Sequence, residues 1–214
     1  KFRKVTDEES SQIKNWEKRG EIKNIIIHAS YLLNFANPLE NNSFPIKSLA
    51  EDLLNADLLG ADGVVLHMGK YLKSPPSEAK QNFIENIKKV IALTKNTKAK
   101  VFIENTAGQG TEFGFTLEEM FEIKNELNNE NRIGFCIDTA HAFGAGYDLK
   151  TSSGAENFAK KLEKDIGIKN IGCIHLNDSK KLLGSRVDRH QDIGEGEIGE
   201  DGIKSFVLEL NKLG

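Results

Sequence analysis

The histidines of this sequence are not scattered. His28, His67 and His175 each close a short apolar run, "NIIIH" (24–28), "GVVLH" (63–67) and "IGCIH" (171–175). His141 and His190 sit in "DTAH" and "DRH". Two further runs end on carboxylates, "KVFIE" (100–104) at Glu104 and "RIGFCID" (132–138) at Asp138, and Asp188 lies two residues before His190. Imidazole mixed with carboxylate suits zinc, manganese or iron, whereas magnesium and calcium favour oxygen alone. Eight such donors (five His with Glu104, Asp138 and Asp188) exceed the needs of one tetrahedral ion, so two or three ions are expected. Ions roughly 4 Å apart can hold both the attacking and the leaving oxygen of a phosphoester. Taken singly, each residue has an ordinary reading: a hydrogen-bonded structural histidine, a capping Asp138, a solvated Glu104, surface charge at Arg186 and Arg189. "GEGEIG" alone is an acidic turn. The recurrence of donors at the ends of apolar runs is what points to a metal centre.

Donors so placed meet only if the runs are parallel strands whose C-terminal ends open on one face. The five runs lack polar alternation, as strands covered on both faces should. Helical patterns lie between them. "PIKSLAEDLLNADLLG" (45–60) carries Leu49, Leu53, Ala56 and Leu59 on one side and stops at a glycine. "SEAKQNFIENIKKVIALTK" (77–95) opens with Ser77 as cap and keeps Phe83, Ile87, Val90, Ile91 and Leu93 near one side. "TLEEMFEIKNEL" (116–127) has Thr116 and Glu119 at capping-box spacing. Helices are also expected over about 155–165 and 201–212, and in "TDEESSQIKNWEKRG". Strand alternating with helix implies an α/β fold with right-handed parallel crossovers. A doubly wound sheet and an α/β barrel both fit that pattern, and the strand-end donors favour the barrel.

The 214 residues suit one domain, with neither repeats nor low-complexity tracts. At 38% hydrophobic and 29% charged the composition is that of a globular protein. A net charge of −3 leaves any grip on nucleic acid to a local basic surface. Cys136 and Cys173, both inside apolar runs, read as buried free thiols in a reducing compartment, and neither is placed for a structural zinc site. No run approaches the ~18 apolar residues of a membrane span, and no signal-peptide pattern opens the chain. The expected location is therefore the cytoplasm of a bacterium, or the nucleus or mitochondrion of a eukaryote, without secretion or membrane contact.

Three long motifs, "IENTAGQGTEFGF" (103–115), "CIDTAHAFGAGYD" (136–148) and "HLNDSK…GSRVDRHQDIGEG" (175–196), resemble the endonuclease IV family of apurinic/apyrimidinic endonucleases. "HASYLLNFANP" (28–38) is similar to that family's segment after an early barrel strand. The resemblance implies a TIM (β/α)8 barrel that uses three zinc ions, with manganese as an alternative at one or more sites. It implies a monomer that cuts double-stranded DNA 5′ to an abasic site and leaves a 3′-hydroxyl. On matching positions His28, His67 and Glu104 would hold one zinc. Glu104 would bridge to a second, held also by Asp138 and His175, so these five carry catalysis. His141, Asp188 and His190 would hold the third. Tyr31 and Leu32 match residues inserted into DNA at the lesion, where a missing base makes extrusion easier. Lys180, Arg186 and Arg189, with Lys181, would contact phosphates, as would Lys70 and Lys73 after His67. The sequence departs from the family in ending at Gly214, before a final-strand glutamate that completes the second zinc, and in lacking two upstream strand–helix units. A partial barrel of about five strands is therefore expected, one domain over 1–214, truncated at both ends.

Two other readings compete. A metal-dependent sugar isomerase or epimerase on a related barrel would also set His, Glu and Asp at strand ends. It needs one or two ions and gains nothing from Asp188–Arg189–His190 or from DNA wedges. A non-catalytic DNA-damage binding fragment would keep the basic rim but bind the second metal weakly.

Overall fold

A computed structural model describes residues 3–127 and 130–214. Five parallel strands pair in chain order: β1 (Ile26–His28), β2 (Gly63–His67), β3 (Lys100–Glu104), β4 (Ile133–Asp138) and β5 (Ile171–His175). They form a curled half-barrel sheet, the arc expected of a TIM-type barrel. Around it run α1 (Asp7–Lys18), α2 (Phe44–Leu59), α3 (Pro76–Leu93), α4 (Leu117–Glu126), α5 (Thr139–Ala145), α6 (Ser152–Asp165) and, after β5, α7 (Gly199–Leu213). A small antiparallel pair, β6 (Asp178–Ser179) with β7 (His190–Gln191), stands beyond the end of β5. Among the described residues no helix is long and apolar enough to cross a membrane.

Strand alternation divides the sheet's side chains between two environments. Val64, Leu66, Val101, Ile103, Phe135 and Ile137 face the helices and join the main core. On the concave side Val65, Phe102 and Cys136 form a smaller cluster with Ile26 and Cys173 packed against it. Each of these five stands two residues before a strand-ending His, Glu or Asp, so the polar donors continue the same inner face. The Phe102 ring lies over Gly134 and Gly172, where any Cβ would collide with it.

Helix ends follow local chemistry with one correction. The capping box of Thr116 and Glu119 forms, as does one between Thr6 and Glu9. Gly60 ends α2 in a left-handed conformation, φ 72°. Ser77, however, is not a cap: α3 starts at Pro76 with Pro75 in the capping position, because proline's fixed φ suits a first helical turn and its missing N–H costs nothing there. Leu93 is exposed at the end of α3 instead of joining its apolar side. Nor are all five strands covered on both faces, since β5 alternates between half-buried and exposed. The first strand begins at Ile26, after Asn24 turns the chain at φ 50°.

Candidate metal centre

Register determines how the donors meet. His67 lies opposite Glu104 across β2 and β3, and Asp138 lies opposite His175 across β4 and β5. Asn105, just past β3, extends that ladder with its side chain: it accepts from Asp138 N at 2.7 Å and donates to Asp138 O at 3.2 Å. A carboxamide thus substitutes for a peptide group and holds β4 beside Glu104 one residue further than the backbone alone would.

Glu104 and Asp138 are almost fully buried, at 1% and 0% exposure, yet among the described residues neither pairs with Lys or Arg. Imidazoles surround them instead. Glu104 Oε2 lies 3.2 Å from His28 Nε2 and 2.8 Å from His67 Nε2, while Oε1 lies 2.8 Å from His175 Nδ1. Burial alone would push the Glu104 carboxyl up, but bonds to His175, His28 and His67 outweigh it and hold the group well below the usual carboxylate range. His28 is raised, chiefly by its bond to Glu104. Hydrogen bonds to Cys173 and Glu104 raise His175 to about 10.

A second cluster adjoins the first. His141 Nε2 is 3.4 Å from Asp188 Oδ2 and 3.4 Å from His190 Nε2, and His190 Nε2 is 3.1 Å from Asp188 Oδ1. Asp138 joins it through Oδ2, 3.7 Å from His190 Nε2. Burial opposes a charge on His141, but Asp138, Asp188 and Glu104 prevail and raise it to about 9. Bonds from His141 and His190 depress Asp188 in turn.

The tautomers favour a bound cation. His28 Nδ1 donates to Ala29 O at 2.7 Å, and His141 Nδ1 donates to Asn105 O at 2.9 Å. With Nδ1–H committed to a carbonyl, the Nε2 that faces a carboxylate carries either a second proton or a metal. His28, Glu104 and His175 bring ligand atoms within 4.8 Å of one another, as do Asp138, His141 and His190. Donor chemistry, spacing and buried negative charge therefore fit divalent metal.

The loop that carries Asp188 and His190 is organised by a residue to which the sequence reading gave no role. Asp178, fully buried, accepts five backbone N–H bonds, from Ser179 and Ile198 on Oδ1 and from Gly194, Gly196 and Gly199 on Oδ2, at 2.7–3.1 Å. The glycines of "GEGEIG" wrap this carboxylate as a nest of amides, and a Cβ at Gly196 would strike it. Asn177 donates to Asp138 Oδ2 at 2.6 Å, and Gln109 Oε1 accepts from Asp188 N at 3.0 Å. Asn105, Gln109, Asn177 and Asp178 all escaped the sequence reading. An amide side chain within two residues of a run-ending donor could have flagged Asn105 and Asn177, whereas Gln109 and Asp178 carry no such signal.

The residues expected to meet DNA stand in different settings. Tyr31 and Leu32 are 79% and 73% exposed, unusual for side chains this apolar, and border a cleft of about 530 Å³ shared with His67, Asp188 and Arg189. Lys180, Lys181, Arg189 and Lys73 are exposed. Arg186 has φ 51° and lays its guanidinium over Phe115, 4.4 Å from the ring centre. Lys70 pairs with Glu112 at 3.6 Å, so its charge is partly answered within the chain. The cysteines need correction: Cys173 is only half-buried, and the fold sets it beside Cys136 and His175, with all three ligand atoms within 4.8 Å of one another.

The whole chain, residues 1–214, matches the family of xylose isomerase-like TIM barrels. The probable endonuclease 4 of Aster yellows witches'-broom phytoplasma is 38% identical over 187 residues, which cover 87% of this chain and 63% of that protein. That of Halothermothrix orenii is 36% identical over 208 residues, 97% of this chain and 74% of its own length. Endonuclease IV from Thermus thermophilus superposes with a TM-score of 0.82 at 32% identity, covering 97% of this chain and 72% of that one. The chain thus spans roughly two thirds to three quarters of these relatives, 63% of the phytoplasma protein and 74% of the Halothermothrix one.

Proposed function

The chain belongs to the xylose isomerase-like TIM barrels and within them to the endonuclease 4 family; on that premise we propose that it is a DNA-repair phosphodiesterase. It hydrolyses the bond 5′ to an abasic site in double-stranded DNA and leaves a 3′-hydroxyl. The observation that carries the reading is the second cluster: Asp188 and His190, brought by a loop, meet His141 and Asp138 beside the strand-end cluster of His28, His67, Glu104 and His175. A sugar isomerase has no use for that addition.

Zinc is the proposed metal. His28, His67 and Glu104 would hold one ion, Glu104, Asp138 and His175 a second, and His141, Asp188 and His190 a third. Zinc supplies Lewis acidity, which brings the pKa of a bound water to about 7 and neutralises phosphate charge. The chain's own residues do the rest. Glu104 keeps the imidazoles of three strands converged, and the carbonyls of Ala29 and Asn105 hold two rings in one tautomer. Tyr31 and Leu32 stand at the cleft mouth, where an aromatic and an aliphatic wedge can enter a helix that lacks one base. Arg189, Lys180 and Arg186 face phosphates, which positions the duplex without reading its sequence.

The test is incision of a duplex with one abasic site by the metallated protein, with both product ends identified. A nick with a 3′-hydroxyl on its 5′ side is the expected result. An unsaturated sugar end would mean a lyase, and no nick from folded, metal-loaded protein would overturn the reading in favour of sugar chemistry.

A further inference from the structure

Beneath the imidazoles the inner face of the sheet carries a pair of thiols. Cys136 on β4 and Cys173 on β5 are register partners, and the strands slip by one residue just before them, between Phe135 and Cys136. Both side chains face the concave cluster with Val65 and Phe102. Two residues further along β5, on the same face, is His175. The sulfurs of Cys136 and Cys173 and a ring nitrogen of His175 lie within 4.8 Å of one another. Cys136 is buried, whereas Cys173 is half-buried and the His175 side chain is 25% exposed, so an ion has a route in from the open side of β5.

We propose that Cys136, Cys173 and His175 form a binding site for a thiophilic metal ion, which shares only His175 with the imidazole–carboxylate clusters, and that its occupation draws His175 away from Glu104. Two thiolates and one imidazole make a soft donor set that selects cadmium, monovalent copper or zinc over magnesium and manganese. Three protein donors leave a fourth tetrahedral position to water or an added ligand. Binding displaces to solvent whatever protons the two thiols and the ligating nitrogen of His175 carry, so no oxidant or reductant is involved. His175 is shared between the two sites, since its Nδ1 lies 2.8 Å from Glu104 Oε1. An ion on the thiols competes for that ring and leaves Glu104 with His28 and His67.

With only two cysteines in the chain, thiol counting is unambiguous. The protein is first given only the three equivalents of zinc that the imidazole–carboxylate clusters would hold, its thiols are checked to be open to alkylation, and one equivalent of cadmium is then added. Alkylation is followed by mass, and thiolate-to-cadmium charge transfer by ultraviolet absorption. One equivalent should protect both thiols and produce the charge-transfer band. Cys173→Ser should abolish the band and weaken cadmium binding by more than the ~100-fold that loss of an outer-shell partner can cost. Cys136→Ser should do the same, and Cys173→Ala serves if the serine variant folds poorly. Cadmium that binds without protecting the thiols, or a band that survives Cys173→Ser, would overturn the site. The readout is thiol protection and not incision, so its failure is distinct from failure of the nuclease reading. If the nuclease reading holds, cadmium should also slow incision by the parent protein and leave Cys173→Ser much less affected.

Discussion

Two buried carboxylates shape this end of the barrel, and they keep different company. Glu104 is met by three imidazoles from three strands, all able to exchange a proton for a metal. Asp178 is met by five backbone amides, none of which can leave. Both have negligible exposure, so burial does not separate them. The partners do: titratable partners mark a carboxylate available to a ligand, while amide partners mark one committed to holding a loop. Asp138 stands between the two, with Oδ1 accepting from His141 N and Oδ2 facing Asn177 and His190.

Substitutions can break or sharpen this contrast. Glu104→Gln should lower incision most, on the order of 10³-fold, because several kcal/mol of transition-state stabilisation depend on the metal it would hold. Its circular dichroism and thermal unfolding should stay close to the parent, and a near-parent rate would erase the distinction. Asp178→Asn should act through the fold: an amide group turned toward amide donors costs roughly 2–4 kcal/mol. Proteolysis within residues 180–199 should quicken and about one ion be lost, while the strand-end cluster keeps its metal. Unaltered loop protection would show that the nest of glycines is not what holds Asp188 and His190.

Asn177→Ala removes one 2.6 Å donor from Asp138 and leaves its coordinating oxygens in place. A loss of about 10-fold in metal affinity and rate is expected, the lower end for a second-layer partner; measured together, the two losses should match. The smallest effect belongs to Asp52 on α2, a carboxylate with neither kind of partner among the described residues. Burial and then the charge of Glu51 raise it to about 6. An acid raised on folding holds its proton more tightly in the native chain, so stability declines as pH rises from near 3.8 through about 6. Asp52→Asn should remove that decline in denaturant titrations on either side of the window, and an unchanged slope would assign it elsewhere.

Much of the strand-end cluster was legible in the chain itself. "GVVLH", "KVFIE" and "IGCIH" match observed strands residue for residue, and "RIGFCID" misses β4 by one residue. The reason is local: β alternation aims each terminal donor at the face of the residue two before it, and parallel order brings the ends to one rim. Thr116 and Glu119 were readable for the same reason, their contact spanning a single turn. Ser77 misled because a serine before a helical pattern looks like a cap even where two prolines already start the helix.

What the sequence by itself determined, then, was the α/β order, the inner face of each strand and the kind of chemistry its end could support, since all three depend on neighbours a few residues away. Only the tertiary structure decided who met whom. The stagger between strands placed His67 against Glu104 and Cys136 against Cys173, and the return of the loop after β5 carried Asp188 and His190 to His141. Asp178 gained its meaning from glycines 16 to 21 residues away, reached through backbone amides that every residue but proline possesses. Register and loop closure are properties of segments distant in sequence, and no local pattern of side chains records them.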